Sequence, residues 1–210
     1  MKISTWVAFA FLLFASAASA QIFQFNPYIG TQLPMPINTY NGKFNTDGGI
    51  NYGVNVAWGN GLAGGGFSEN AFLELQYNYH KTGMEYSFYG GTKEDLGDLA
   101  IHNILAGGLK GIGNEKFETY GGLFFGVSIF DPADPEAFSY TRFTMAANAG
   151  LKYYATPKVG LRLNAQLYMP FWGSSYGFGW GGGGYGYVST VVSPYMNFDV
   201  GLFINIDNSY

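Results

Sequence analysis

The chain has 210 residues, a formal net charge of −4 and no cysteine. Charged residues make up 11% of it, against roughly a quarter in an ordinary soluble domain, and aromatic residues reach 19%. The acidic balance argues against a nucleic-acid partner, which requires a basic face. The absence of cysteine excludes disulfides, thiol catalysis, thiolate metal sites and a lipid anchor on a terminal cysteine.

The first twenty residues have the pattern of a secretory signal. Lys2 gives a positive start, residues 7–14 give a short apolar stretch, and Ala18, Ser19 and Ala20 give a small-residue cleavage site. We therefore predict that residues 1–20 are a signal peptide that exports the protein, and that residues 21–210 form one domain. No later apolar run is long enough for a membrane helix.

Eight segments of the remaining chain have the period of two that is typical of β-strands with one apolar face. In chain order they are residues 25–33, 50–58, 71–86, 99–110, 117–130, 142–154, 159–169 and 196–207. The first alternates poorly, and Pro27 and Pro34 are expected at its ends. The fourth leaves two alternatives open, since either Ile101 or Ile104 could face outward with its neighbours of the same parity.

The segments between these strands predict how the strands are connected. Residues 35–47, 90–98 and 171–189 read as long loops, whereas the connections after the fourth and sixth strands are short. In bacterial barrels the strand number is even, the short turns face the periplasm, and eight is the smallest usual size. Lipid offers no partner to an open sheet edge, so the last strand must pair with the first. The predicted fold is all-β, an eight-stranded antiparallel transmembrane up-and-down barrel.

A resemblance to a known family is carried by three parts of the chain: residues 150–154, residues 159–162 with 169–170, and the last strand. Over its whole mature length the chain resembles the small eight-stranded outer-membrane barrels of the OmpA/OmpX and opacity-protein type, often called porin-family proteins. Asp199, Gly201, Ile204 and Ile206 resemble the terminal signal that barrel-assembly machinery reads, although Ile206 replaces the usual aromatic residue and residues 207–210 extend past it. The resemblance implies the outer membrane of a Gram-negative-type envelope, with outer-membrane lipid, lipopolysaccharide and the assembly machinery as partners.

A soluble lipocalin-like barrel would place its apolar face inside, and a secreted β-sandwich or adhesin could also alternate. The polar face of the strands decides between these folds, because it carries glycine, asparagine, glutamine and threonine rather than the many charges of a water-exposed surface. Aromatic residues also gather near strand ends, as in the girdles at membrane interfaces. They are Trp58, Tyr153, Tyr168, Phe171, Trp172 and Tyr195.

The polar face then gives the charges of the barrel interior. They are Glu74, Glu118, Lys152, Arg162 and Asp199, joined by Lys110 if the fourth strand takes the inward parity. Because unpaired buried charges are costly, their near balance of sign predicts ion pairs. Arg162 and Asp199 on neighbouring strands are the hypothesised pair, with two solvated lumen charges as the alternative.

Motifs for chemistry are weak. Residues 59–64 and 177–182 fit the glycine pattern of dinucleotide sites, but neither opens a helix within a βαβ unit, and 32 glycines produce such matches by chance. His80 and His102 could share a metal if both face inward, yet no third ligand is evident. Neither a nucleophilic triad nor paired acids stand out. We therefore expect no enzyme activity, no cofactor and no metal.

The loop 171–189 is rich in glycine and aromatic residues, which on an outer loop can bind sugars, lipopolysaccharide or another extracellular ligand. Its aromatic residues are Trp172, Tyr176, Phe178, Trp180, Tyr185 and Tyr187. The expected function is a structural or surface-interaction role through the outer loops. The alternative is a narrow porin-like channel for small solutes, lined by Asn51, Asn55, Gln76, Asn164 and Gln166.

Overall fold

The computed structural model describes residues 22–38, 42–59, 68–133, 138–172 and 191–207. Eleven strands are found there: β1 (Ile22–Gln32), β2 (Met35–Asn38), β3 (Gly42–Thr46), β4 (Gly49–Gly59), β5 (Ser68–Phe88), β6 (Lys93–Gly113), β7 (Phe117–Pro132), β8 (Tyr140–Tyr154), β9 (Val159–Trp172), β10 (Val191–Val192) and β11 (Tyr195–Asp207). Over the same residues, no helix is long and apolar enough to cross a membrane.

Eight of these strands close a ring of antiparallel pairs. In sequence order, β4 to β9 each pair with the next strand, β9 pairs with β11, and β1 pairs with both β4 and β11. The ring leaves no open edge in the part of each strand that would contact lipid, as backbone satisfaction in a membrane requires. The predicted eight-stranded antiparallel transmembrane barrel is confirmed.

The register of the pairs sets the width of the barrel. The path of paired residues can be followed once round the ring, starting at Tyr79 and passing through β4, β1, β11 and the remaining strands. It returns to β5 at Glu69, ten residues from its start. With strands ~4.8 Å apart and ~3.3 Å per residue, this stagger gives a tilt of about 40° and a backbone radius of about 8 Å. An interior of that size is filled by side chains that point inward.

The two faces of the wall are those that the alternation predicts. Large apolar side chains such as Leu75, Leu163 and Val200 are exposed on the outside, whereas Glu74, Asn164 and Asp199, their neighbours in sequence, are buried inside. The structure also decides which face of the fourth predicted strand points outward. Ile104 faces outward, and Ile101 and Leu105 face inward.

Large inward-facing rings fit into this narrow interior because glycines face them across the strands. Tyr28 pairs with Gly53, Tyr120 with Gly150, Phe124 with Gly107 and Phe203 with Gly160. A Cβ atom at any of these four glycines would collide with the ring of its partner as well as with backbone. The pairs therefore let a ring lie flat against the wall, which saves space in the centre.

Two predictions about the first half of the chain are wrong. Pro27 lies in the middle of β1, not at its end, with its ring outward, and the pairing of β1 with β11 skips Asn26 and Pro27. The predicted loop 35–47 contains β2 and β3, which form a hairpin in which β3 also pairs with β5. Neither short strand has enough alternation to be recognised alone, and the pairing of β3 with β5 and of β2 with β3 gives them their strand conformation.

The predicted loop 90–98 is also shorter than expected. β6 begins at Lys93, so β5 and β6 continue as a hairpin beyond the ring and turn at Tyr89–Thr92. Gly91 has a φ of 90° in this turn, which favours glycine. With β2 and β3, this hairpin makes a small sheet above one end of the barrel, called here the hairpin end. The short turns 114–116 and 155–158 lie at the other end, the turn end.

Candidate functional site

The interior is crossed by an ion pair between strands on opposite sides of the ring. Arg162 of β9 donates from Nη1 to Oε2 of Glu74 at 2.6 Å and from Nη2 to Oε1 at 3.0 Å, and Glu74 belongs to β5. Nε of Arg162 donates to the hydroxyl of Tyr120 at 2.8 Å. Both charged side chains are fully buried. The bidentate geometry is the strong form of this contact, and it spans the diameter of the barrel.

A layer of amide side chains lies next to this ion pair. Gln76 donates to Glu74, Gln166 donates to Gln76 at 2.7 Å across the barrel, and Asn164 donates to Gln166. The layer ends at Asp199, whose carboxylate accepts from Asn51 at 2.9 Å and from Asn164 at 3.3 Å. Amides are therefore linked from wall to wall, and together with the ion pair they obstruct the lumen.

A second ion pair lies toward the turn end. Lys152 of β8 and Glu118 of β7 are directly paired residues, with Nζ and Oε1 3.2 Å apart. Glu118 also accepts hydrogen bonds from Tyr154, at 3.0 Å, and from Asn70. The buried ammonium of Lys152 lies 4.5 Å from the centre of the Phe72 ring, which is a cation–π contact. These contacts close the barrel at a second level.

All five predicted interior charges are buried in the barrel, but the hypothesised pair of Arg162 with Asp199 is wrong. Arg162 binds Glu74, and the residue opposite Asp199 on β9 is Asn164. The hypothesis considered neighbouring strands only, whereas a long guanidinium side chain in a barrel of this width reaches the far wall. Lys110, the conditional sixth charge, faces outward.

One side of the interior is apolar, which the alternation of the strands did not predict. Leu99, Ile101, Leu105 and Leu109 of β6 pack in one buried cluster with large side chains of other strands. Met35 of β2 is fully buried in this cluster and brings the β2–β3 hairpin against the hairpin end of the barrel. The sequence did carry a sign of this apolar side, because residues 99–110 have apolar side chains on both faces of the strand. An interior that is polar on one side and apolar on the other explains that pattern.

Two residues assigned to the aromatic girdles face inward instead. Tyr168 and Tyr195 are buried and stack on each other, with ring centres 4.9 Å apart and ring planes 8° apart. Tyr153 and Phe171 do face outward, next to Phe117 and Phe143 respectively. Proximity to a strand end indicates the height of a residue in the barrel, whereas its parity decides the face. Both tyrosines have the parity of Arg162 and Asp199.

The two histidines lie on opposite faces. His80 is buried in the interior, where Nδ1 is 3.0 Å from the carbonyl oxygen of Ile50. His102 faces outward and contacts Tyr77 and Tyr79. Register explains the separation, because His102 pairs with Tyr79 rather than with His80. Within the described ranges, no group of three or more metal-ligating residues is found.

The hairpin end carries exposed rings and charges. Tyr89 is 71% exposed at the turn, and Phe88 beside it packs edge-on against Tyr86. On the side of the hairpin, Lys93 and Glu85 form an ion pair at 2.8 Å. The hydrogen bond from the Lys93 ammonium is the main cause that lowers the pKa of Glu85, and the hydrogen bond from the Ser87 hydroxyl is the second. This surface lies beyond the ring, so it would be in water above a membrane.

Some predicted residues lie outside the described part of the chain. These are the signal peptide, the first glycine motif after its opening Gly59, the whole second glycine motif, and the loop aromatics Tyr176, Phe178, Trp180, Tyr185 and Tyr187. Trp172 is the last residue of β9. In the terminal segment, Asp199 and Gly201 face the interior, and Ile204 and Ile206 face outward.

Comparison with solved structures gives small bacterial barrels. The outer membrane protein OprG from Pseudomonas aeruginosa has a TM-score of 0.51 at 11% identity, covering 90% of this chain and 97% of that chain. Neisserial surface protein A has a TM-score of 0.49 at 12% identity, covering 88% of this chain and 97% of that chain. The N-terminal barrel domain of Pseudomonas aeruginosa OprF has a TM-score of 0.45 at 15% identity, covering 90% of this chain and 100% of that chain.

No protein-family model matches the sequence, and no curated protein matches it. At this level of identity the structural likeness shows the fold alone. The chain has the fold of the small eight-stranded outer-membrane β-barrels of the OmpA/OmpX type, as its sequence resemblance implied. It is a membrane β-barrel protein.

Proposed function

We propose that this chain is an outer-membrane protein whose closed barrel serves as a rigid anchor and whose hairpin end acts at the cell surface. The observation that carries the proposal is the contrast between the two parts of the molecule. The interior is bridged from wall to wall by Arg162 and Glu74, whereas β5 and β6 continue past the ring and expose Tyr89.

The fold and the predicted signal peptide support the proposed location and orientation. Barrels of this type are inserted by an assembly machinery, and the segment from Asp199 to Ile206 resembles its recognition signal, with Ile206 in place of the usual aromatic residue. Short turns face the periplasm in such barrels, which puts the hairpin end outside the cell. The predicted loop 171–189 leaves from the same end, so its aromatic residues would add to the same surface.

A closed interior argues against a diffusion pore. Gln76 and Gln166 meet in the middle of the barrel, and Arg162 and Glu74 bridge it beside them. Breaking the ion pair to admit a solute would leave charges unpaired in a region of low dielectric, which costs several kcal/mol or so. The barrel is proposed to have no enzymatic role, because its interior carboxylates, Glu74, Glu118 and Asp199, are engaged in ion pairs or hydrogen bonds with other interior side chains.

A narrow channel is the second candidate, and one observation favours it. Both side-chain amide atoms of Gln32 and of Asn148 are buried without a protein partner among the described residues. Buried polar atoms of this kind are normally satisfied by water, so part of the interior would be hydrated. Asn51, Asn55, Gln76, Asn164 and Gln166 would line such a path.

Single-channel recording of refolded residues 21–210 in a planar lipid bilayer separates the two candidates. The anchor predicts confirmed insertion without discrete current steps. Discrete steps in the wild-type protein would establish the channel, and Arg162 would become its selectivity residue. A matched variant, Arg162→Ala with Gln166→Ala, removes both bridges and is expected to conduct, which controls for the detection of a small current.

Replacing residues 88–92 by a two-residue Asn-Gly turn between the paired Ser87 and Lys93 tests the surface role. The anchor proposal predicts an unchanged unfolding midpoint, because the hairpin tip lies beyond the ring. It also predicts weaker attachment of displaying cells to a panel of immobilised glycans and serum proteins. Equal attachment by cells with the full and the shortened hairpin would assign the surface role elsewhere. A serine variant of Tyr89 and Phe88 separates the rings from the backbone of the hairpin.

A further inference from the structure

One patch of the outer wall differs from the apolar surface around it. Tyr52 of β4, Tyr77 and Tyr79 of β5 and His102 of β6 are neighbours on the outside of the barrel. The ring centres of Tyr52 and Tyr79 are 5.1 Å apart, and those of Tyr79 and His102 are 4.9 Å apart in an edge-on arrangement. The hydroxyl of Tyr77 lies 2.9 Å from Nδ1 of His102. These four residues are called here the rim patch.

The position of the rim patch marks the upper boundary of the apolar wall. Along the outward face of β5, Leu73 and Leu75 are followed by Tyr77, Tyr79 and then Lys81. The outward face of β6 passes from Ile104 through His102 and Ala100 to Asp98, which pairs with Gly83. Rings thus give way to a charge two residues on along β5, at Lys81, and four residues on along β6, at Asp98. In a bilayer this boundary lies at the lipid headgroups.

The hydrogen-bonding groups of the rim patch are suited to an anion. In the tautomer of His102 whose Nδ1 accepts from the Tyr77 hydroxyl, the ring proton is on Nε2, which is then a donor. Lys81 forms an ion pair with Asp98 at 2.7 Å, and an ammonium group has three donors, so two remain. Lys81 follows Tyr79 at the next outward position of β5, a separation of roughly 7 Å along the strand.

The opposite wall shows that this chemistry is not a general feature of the rim. There the same height is occupied by Phe143 and Phe171, whose ring centres are 5.8 Å apart, with Met169 next to them. Rings and thioethers alone satisfy the requirements of an interfacial belt. An imidazole and an ammonium beside the tyrosines add donors that an apolar or purely aromatic belt does not need.

We propose that the rim patch, with Lys81, binds the phosphate group of a membrane lipid. Nε2 of His102 and Nζ of Lys81 donate to the phosphate oxygens, and the rings of Tyr52 and Tyr79 pack against the first carbons of the lipid. This proposal rests on the orientation given under the proposed function, and it assigns a lipid headgroup to one wall of the barrel.

The test is native mass spectrometry of refolded residues 21–210 in an uncharged detergent, with one lipid added at a time. The probes are phosphatidylglycerol, a monophosphorylated acyl-disaccharide, and diacylglycerol as the phosphate-free control. Wild-type protein is expected to retain one phosphate-bearing lipid and no diacylglycerol. Retention of the disaccharide alone would identify the saccharolipid of the outer leaflet as the source, and retention of phosphatidylglycerol alone would identify phospholipid. Equal retention of both would mean that the site recognises the phosphate group whichever lipid carries it.

The variants His102→Phe and Lys81→Ala are each expected to weaken retention by tenfold or so, since a charge-assisted hydrogen bond is lost. Tyr77→Phe removes one hydroxyl and should weaken it less. Phe171→Leu on the opposite wall is the control and should change nothing. Equal retention by His102→Phe, Lys81→Ala and wild-type protein, or equal retention of diacylglycerol, would overturn the proposal.

The conductance measurement is independent of this test, so the two proposals can fail separately. An inserted, non-conducting barrel that binds no phosphate lipid would retain the anchor function and lose the rim site. Failure of the refolded chain to insert in any bilayer would remove both. Folding of each variant is checked by the β-type circular dichroism spectrum before lipid is added.

Discussion

Arg162 and Glu74 face each other across the full diameter of the barrel and form a bidentate ion pair, although 88 residues separate them in sequence. Their strands, β9 and β5, share no backbone hydrogen bonds, because each lies on the far side of the ring from the other. The pair therefore ties together two walls that the backbone ladder connects only through three intermediate strands.

Removing one partner of this pair should be costly, whereas removing both should not. Glu74→Ala or Arg162→Ala leaves a buried charge without its partner and is expected to lower the free energy of unfolding by about 3–5 kcal/mol. The double variant Glu74→Leu, Arg162→Met replaces the pair by apolar side chains and should come close to wild type. Urea unfolding of the refolded protein in lipid vesicles measures both, and strictly additive losses would contradict the coupling.

The exposed pair of Lys81 with Asp98 provides the control for this experiment. Its side chains are more than half exposed, so solvent screens the interaction. The variant Asp98→Asn is therefore expected to leave the unfolding midpoint nearly unchanged under the same conditions.

Asn26 repairs a break in the β1–β11 ladder. Leu33 donates its N–H to Met196, and every second residue of β1 donates in the same direction, so Pro27 occupies a donor position without a hydrogen. Nδ2 of Asn26 donates instead to the carbonyl of Leu202 at 2.8 Å. Asn26→Ala should cost about 1–3 kcal/mol, because it leaves that carbonyl unpaired.

Restoring the missing N–H tests the reason for this cost. The double variant Asn26→Ala, Pro27→Ala provides a backbone donor to Leu202 and should recover a large part of the lost stability. Equal unfolding midpoints for the single and double variants would mean that the cost comes from the contact of Asn26 with Asn55 instead.

Gly150 is required by the ring of Tyr120. A Cβ at this position would collide with the tyrosine hydroxyl and with the carbonyl of Leu163. Gly150→Ala is therefore expected to destabilise the barrel by about 1–3 kcal/mol through overpacking. Gly108 offers a matched control, since a Cβ there meets nothing within 4 Å. If Gly108→Ala lowered the unfolding midpoint as much as Gly150→Ala, overpacking could not be the cause.

Leu163 lies halfway along the apolar outer face of β9 and is 51% exposed, whereas Val159, 40% exposed, begins that strand at the turn end. Leu163→Arg should cost roughly 2–4 kcal/mol and Val159→Arg roughly 0–1 kcal/mol, because the penalty for a charge falls toward the interface. Unfolding from lipid vesicles compares them. A larger cost at Val159 than at Leu163 would mean that the apolar band is positioned differently in the bilayer.

The alternation of Val159 to Met169 shows how much the sequence determines by itself. Side chains of a strand change face at every residue, so the face of Leu163 and the opposite face of Arg162 follow from position alone. The same local rule places Glu74, Glu118, Lys152 and Asp199 inside, and glycine, asparagine and glutamine on that face indicate a membrane barrel. Counting the alternating segments gives the number of strands in the ring and the positions of the short turns, and closure follows because lipid offers no partner to an open sheet edge.

Only the tertiary structure decided which of those interior residues meet. Glu74 becomes the partner of Arg162 because eight strands with a stagger of ten residues make a barrel narrow enough for a guanidinium to reach the opposite wall. Asp199 lies on the strand next to Arg162 and is held by amides instead. Pro27 is tolerated within β1 since Asn26 can reach Leu202. β2 and β3 are strands because β5 extends beyond the ring to pair with β3, which in turn pairs with β2. Parity is a local property of the chain, whereas these contacts depend on closure and register, which involve residues far apart in sequence.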